Sequence, residues 1–457
     1  MAQRKTIIKR FRMFARVISF FTSLRLTVAC LLMAIVLVFV GTLAQVKLGL
    51  YATQTQYFQS LFVYWSPEGK DWKIPVWPGG WLLGGALLVN LIAAHLKRFR
   101  FTWKKSGIFL IHFGLIALLL GQFLTEVFQV ESFMVIPNGG TKNFSEDGRK
   151  HELAIVDITD AQQDKVVAIP EAMVAAKGEI KDPQLPFTIR VKEFFANSTP
   201  VVPTTQPEGK RFTASQGFAR QMGLEERPTT GKMSDENKPA ALVEVAAESG
   251  PIGDWGVSSW LTKHGQKDRL LDFQVKRGMP SDSLADYPQK FTHAGRTYVI
   301  ALRPVRYYKP YSIELLKFTH ARYKGTDIPK DFSSHIRLRN AQTGEDRQIL
   351  IYMNNPLRYG GETYFQGGFL EADAGTILQV VRNPAWLTPY FACIVVGLGL
   401  LVQFSMHFFG FLKKSGGRRS AAPAKKSKTA EPELAPMGAA FAAQGVDASL
   451  SRKRRNS

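Results

Sequence analysis

Four long apolar runs constrain this chain more than any other feature. They cover Leu26–Ala44, Trp81–His95, Ile108–Phe128 and Leu387–Leu412. A helix needs about 20 such residues to cross a bilayer. The second run is the shortest and contains glycine. The first is too long for a signal peptide and has no convincing small-residue cleavage site. The expected fold class is an integral membrane α-helical protein, with four transmembrane helices and a large, mostly β extracytoplasmic domain.

Charge sets the expected orientation. The chain holds 59 Lys and Arg against 37 Asp and Glu, a formal net charge of +22. The basic residues bunch beside the apolar runs. Arg4, Lys5, Lys9, Arg10, Arg12 and Arg16 precede the first, LKRFRFTWKK joins the second to the third, and KKSGGRR follows the fourth. With four crossings these segments fall on one side, and the positive-inside rule makes it cytoplasmic. No nucleic-acid motif accompanies the charge, so nucleic acid is excluded as a partner and the lipid bilayer is expected.

The expected organisation is a basic cytoplasmic N-terminus over 1–25, a first helix over 26–44 and an extracytoplasmic loop over 45–80. A second helix over 81–96, a basic cytoplasmic loop over 97–106 and a third helix over 107–128 follow. The β-rich outer domain takes 129–385, the fourth helix 386–412 and a disordered basic cytoplasmic tail 413–457. Tyr51, Tyr57, Tyr64, Trp65 and Trp72 in the first outer loop suit a headgroup boundary.

Within the outer segment, RTYVIALRPVRYY and ETYFQGGF read as strands, and HIRLRNAQTGEDRQILIYM reads as two strands about the turn AQTGE. YMNNPLRYGGETYFQGG reads as a hairpin fixed by Asn-Pro and Gly-Gly turns, and offers a docking surface as the alternative. The stretch 197–238, rich in Pro, Thr, Gly and charge, reads as an irregular insertion, and IGDWGVSSWLTKHG as helical. A sandwich-like β domain results.

Soluble-enzyme chemistry finds no support. The sequence has no phosphate-binding loop, HExxH, GxSxG or dinucleotide fingerprint. Its two cysteines, Cys30 and Cys393, lie in apolar runs and form no CxxC or CxxCH; they read as buried structural thiols. His151, His264, His293, His320 and His335 show no metal-ligand spacing and read as exposed or hydrogen-bonded.

Polar residues inside the apolar runs are costly and tend to be functional. They are Asn90, His95, His112, Gln122, Gln403 and His407. His95 and His407 fall at run ends beside lysines, where an interfacial role suffices. His112 lies roughly 6–8 Å inside the apolar boundary at helical rise. Its imidazole needs a partner there, either a hydrogen bond across the bundle or a metal such as haem iron. Gly107, Gly114 and Gly121 recur every seven residues. That stripe suits close packing within the chain, and His112 points roughly 140–160° away from it, toward a second protein.

Several segments together resemble the ResB/CcsB family of cytochrome c biogenesis proteins, the system II pathway. They are SLRLTVACLLMAIVLVFVGTLAQ, GIFLIHFGLIALLLGQ with its histidine, DIPKDFSSHIRLRN, YMNNPLRYGGETYFQGGF and the return helix. The resemblance runs over most of Phe20 to Leu412. The entry RNPAWLTP differs from the acidic entry of relatives, and 197–238 and the basic tail are peculiar to this chain. The resemblance implies a membrane subunit of the system II cytochrome c synthetase in the bacterial inner membrane, with both termini cytoplasmic. Haem b, held transiently and without covalent attachment, would be exported and joined to CxxCH of apocytochrome c. A CcsA/ResC-type membrane protein would be the partner, with thiol-reducing proteins as further candidates. His112 would be an axial ligand of the haem iron, with His95 as the lesser candidate, and no catalytic residue or autonomous activity is implied. Two alternatives stand beside this: a structural chaperone of that partner that binds no haem, and a membrane sensor or transporter accessory with an outer ligand-binding domain.

Overall fold

A computed structural model describes residues 18–67, 72–98, 102–201, 209–230, 237–262, 288–325 and 329–419. The basic N-terminal cluster through Arg16, His264 and the tail beyond 419 lie outside these residues. The chain divides into two units, Met1–Val402 and Gln403–Ser457.

Among the described residues, four helices are long and apolar enough to cross a membrane. They are α1 (Leu24–Leu48), α2 (Gly80–Arg98), α3 (Ser106–Phe128) and α4 (Thr388–Arg419). Most of their large side chains are exposed, Phe39 and Ile35 to about two thirds. In water that surface would be untenable; against hydrocarbon it carries no penalty, and each helix satisfies its backbone internally. Cys393 belongs to this exposed surface of α4, so only Cys30 is a buried thiol. The cysteine's position in an apolar run places it in a helix without fixing its face.

Polar and small residues join the helices. The Ser23 hydroxyl accepts from the Arg25 N–H and caps α1. Asn90 of α2 accepts from Thr27 Oγ1 at 2.6 Å and donates to the Phe21 and Ser23 carbonyls at 2.7 and 3.2 Å. This amide therefore satisfies carbonyl groups in the chain entering α1. The glycine stripe of α3 packs on α4. A Cβ on Gly114 would lie 2.6 Å from Val396 Cγ2, and one on Gly121 would overlap Thr388. On α4, a Cβ on Gly399 would meet Ile111 N at 2.8 Å and Gly107 O at 2.9 Å. After α1, the hairpin of β1 (Phe62–Trp65) and β2 (Ile74–Pro78) folds back, and Trp77 Nε1 donates to the Met33 carbonyl at 3.2 Å.

The β domain hangs between α3 and α4 and is organised by two long strands. They are β4 (Thr141–Asp157) and β14 (Arg296–Arg322), and they pair antiparallel with register shifts at Pro304/Arg306 and Tyr308/Ile313. Those bulges bend the ribbon, so its two ends serve different cores. β3 (Val130–Pro137), β5 (Lys165–Pro170), β13 (Lys290–His293), β15 (Pro329–Asn340), β16 (Glu345–Tyr352), β17 (Leu357–Tyr359), β18 (Glu362–Phe369) and β19 (Gly375–Arg382) complete this sheet. Its main path is β16-β15-β14-β4-β3-β19-β18-β17. β15 and β16 form the expected hairpin, closing at Asn340↔Glu345.

A second sheet has the order β12 (Gly250–Ser258), β11 (Ala240–Ala247), β7 (Thr188–Phe195) and β6 (Gly178–Ile180). It packs on the 296–304 half of β14, burying Leu153, Ile155, Ile189, Val243, Trp255 and Ile300. The other half shares a core of Met134, Ile136, Ile313, Ile336, Tyr364 and Leu378. Inward residues alternate along β3, β11 and β19, as half-buried strands require, whereas 151–156 of β4 and 255–258 of β12 are buried on both faces.

Two expectations are corrected here. The stretch 197–238 contains β8 (Ser198–Val201), β9 (Arg211–Phe212) and β10 (Gly223–Glu226), a sheet of order β8-β10-β9, with a helical turn Phe218–Gln221. Phe195, Phe212, Phe218, Met222 and Leu224 bury against one another there. IGDWGVSSWLTKHG is mostly β12, followed by a single tight turn at Ser259–Leu261. Its residues pair with β11 (Val243↔Trp255), and that partnership outweighs local preference.

Candidate functional site

Two histidines of the apolar helices meet. His95 lies near the end of α2 and His112 in the second turn of α3, and the short link between these helices brings both to one end of the bundle. Their ring centroids are 6.0 Å apart, with planes 26° apart. His112 therefore faces α2, where spacing alone pointed it toward a second protein. Phe109 packs on His95 at 5.0 Å and stacks parallel to Phe113 at 6.3 Å. Both imidazoles are half-buried, while Phe113 is exposed.

One hydrogen bond defines the chemistry of His112. Its Nδ1 lies 2.8 Å from the Ile108 carbonyl one turn earlier. A carbonyl oxygen only accepts, so Nδ1 carries the proton. In the neutral ring Nε2 then holds the lone pair. Imidazoles that bind metals are arranged in this way, with the second nitrogen donating to a carbonyl or carboxylate. The α3 backbone thus presents Nε2 as a base or ligand.

Other histidines among the described residues are differently engaged. In α4, Gln403 Nε2 donates to His407 Nε2 at 2.7 Å. In the β domain, His151 Nδ1 meets Glu171 Oε2 at 3.2 Å, and His320 Nδ1 meets Asp373 Oδ1 at 2.7 Å while its ring lies 4.4 Å from that of Phe369. His293 packs edge-on to Phe187. Among the described residues, no group of three His, Cys, Asp or Glu side chains could hold a metal ion. The His95–His112 pair is thus the site where imidazole chemistry concentrates. Its sequence signal was two histidines near opposite ends of a short basic link, each entering an apolar run.

Residues 290–377 match the ResB-like family. Protein NrfI of Wolinella succinogenes is 34% identical over 92 residues, which is 20% of this chain and 10% of that protein. The chain thus matches only about a tenth of the length of this curated relative. The family match covers β13 to β18 and the start of β19, including DIPKDFSSHIRLRN and YMNNPLRYGGETYFQGGF. It bears out the ResB/CcsB resemblance read from those segments, and it does not extend to the histidine pair.

Proposed function

We propose that this chain with a ResB-like segment is a membrane subunit for cytochrome c biogenesis that handles haem together with a CcsA/ResC-type partner. The family match supports the process, and the His95–His112 pair supports the cargo. The observation that carries the reading is the Nδ1–Ile108 bond, which leaves the Nε2 lone pair of His112 for an incoming iron.

The chain's own groups account for the handling. Neutral haem-ligating imidazoles need a fixed tautomer, and the α3 backbone supplies it. Phe109 and the exposed Phe113 offer an aromatic flank to an apolar macrocycle. Lys97, Lys104 and Lys105 lie at the same helix ends and attract anionic propionates. In this reading that end faces the cytoplasm of a bacterial inner membrane, and the β domain lies outside, where it positions apocytochrome c for joining of haem to its CxxCH thiols. Thiol-reducing proteins would keep those sulfurs available.

The test is haem content and absorbance of the full chain co-purified with its partner. His112→Ala should lower bound haem by about tenfold or more, the scale of a disrupted ligand shell, and added imidazole should restore the spectrum. His95→Ala should shift the spectrum less. Unchanged haem content and spectrum in His112→Ala removes the ligand role. If partner yield falls while haem per partner holds, the chain is a chaperone of that partner.

A further inference from the structure

A cavity of about 560 Å³ lies at the opposite end of α3, where the bundle meets the β domain. Its walls include Gln122, Thr125, Arg358, Glu362, Trp386 and Tyr390. Gln122 and Thr125 are in the last turns of α3, and Trp386 and Tyr390 flank the start of α4. The cavity therefore sits at the level where the apolar helices end. The β17–β18 hairpin forms its roof, and its two-residue turn requires Gly360 and Gly361 at φ 59° and 77°.

The charge on this wall is one-sided. Arg358 places its guanidinium 4.0 Å from the centroid of the Trp386 ring, and among the described residues no carboxylate pairs with it. The wall's acid, Glu362, is committed elsewhere: Lys309 bonds one carboxylate oxygen, while Tyr311 and Tyr364 donate to the other at 3.1 and 2.9 Å. Thr125 and Asn383 bond each other across the α3–α4 junction. The cavity thus offers a planar, fork-shaped cation on an aromatic face, with polar donors beside it. Leu387 and Tyr390, both more than half exposed, continue this surface onto the apolar flank of α4.

We propose that the cavity holds the phosphate headgroup of an anionic phospholipid, with Arg358 as its main ligand. An arginine fork matches phosphate geometry, and Trp and Tyr belong at the headgroup level. The exposed flank of α4 then receives the acyl chains, which a free phosphate lacks. The lipid would lie under the hairpin that carries the ResB-like segment and would fix the β domain against the membrane.

The test uses the full chain in nanodiscs and fluorescence quenching by chain-brominated lipids. The chain has 8 tryptophans, so Trp386→Phe isolates the contribution of Trp386. Brominated phosphatidylglycerol should quench that contribution at about fivefold lower lipid fraction than brominated phosphatidylcholine, the preference one basic side chain confers. Arg358→Gln should abolish the preference, and Arg358→Lys should retain most of it, each with an unchanged far-ultraviolet dichroism spectrum. Equal quenching by the two lipids in the wild type overturns the proposal, and so does a preference that survives Arg358→Gln. Displacement of the lipid by excess inorganic phosphate would show a site for free phosphate and overturn the lipid assignment.

Discussion

Lys309→Met should destabilise the β domain heavily, and the reason is local. Lys309 leaves β14 and Glu362 begins β18, and the two side chains are only 6% and 12% exposed. Glu362 also accepts from Tyr311 and Tyr364, whose hydroxyls are 2.7 Å apart. Two phenol protons therefore serve three short contacts, and among the described residues the ammonium is the only full positive charge on the carboxylate. Removing one partner of a buried pair costs about 3–5 kcal/mol, because the survivor stays desolvated and uncompensated. A domain of this size loses about 2–4 °C of Tm per kcal/mol, so the shift should be about 6–20 °C. Adding Glu362→Gln to that variant should recover most of the loss, since the amide keeps an acceptor for the phenols without a charge. The assay is thermal unfolding of the full chain in detergent, followed by β-sheet dichroism at pH 7. A shift under about 2 °C would mean that the pair is hydrated and the reasoning wrong. A double variant no better than the single one would show that packing, and not charge, sets the cost.

Two further outcomes follow from the same geometry. Burial, with the neighbouring phenol and carboxylate, pushes Tyr364 far above the ordinary tyrosine range, and burial raises Tyr311 as well. A raised folded pKa keeps its stabilisation below the unfolded value near 10 and loses it as pH rises. Stability should thus fall above about pH 10, by up to about 1.4 kcal/mol per pH unit for each phenol, and denaturant titrations of Tyr364→Phe should show a shallower decline. In the bundle, Gly399→Ala sets a Cβ against the α3 backbone and should cost about 1–3 kcal/mol. Gly397→Ala, which meets open space, should leave the unfolding midpoint in detergent unchanged.

The helices were legible because bilayer thickness imposes a length that composition alone reveals. That α3 packs closely along one face was legible too, since three glycines at seven-residue spacing share it, although which helix it meets there was not. What covers the opposite face was not. The spacing of α3 says only that His112 avoids the glycines, while the neighbour on that side is set by the link to α2. The third core in the β domain escaped for a different reason. Its strands are two to four residues long, too short for alternation to emerge from a stretch dense in Pro, Thr and charge. Val201, Phe212, Phe218, Met222 and Leu224 were its scattered apolar trace. At the far end of α3, Gln122 stands out in the sequence as a polar residue in an apolar run. Arg358 and Trp386 are 28 residues apart in the chain and meet only because β18 and β19 return the hairpin to the helix end.

The geometry of α3 also decides how a partner can approach. His112 and Thr125 are 13 residues apart, about 20 Å along the helix axis, so the imidazole pair and the cavity lie toward opposite ends of α3. The two proposed sites are therefore distinct, the haem site at the basic end and the lipid site beneath the β domain. Around the helix, His112 and Gly114 differ by about 200°. Over 388–399, α4 packs on the glycine side, and α2 meets the imidazole side through His95. Both histidines are half-buried and Phe113 is exposed beside them. A second protein that shares the proposed haem must therefore enter along the seam between α2 and α3. Bulky substitutions on that seam should block it, whereas equally bulky ones on the outer face of α4 should not.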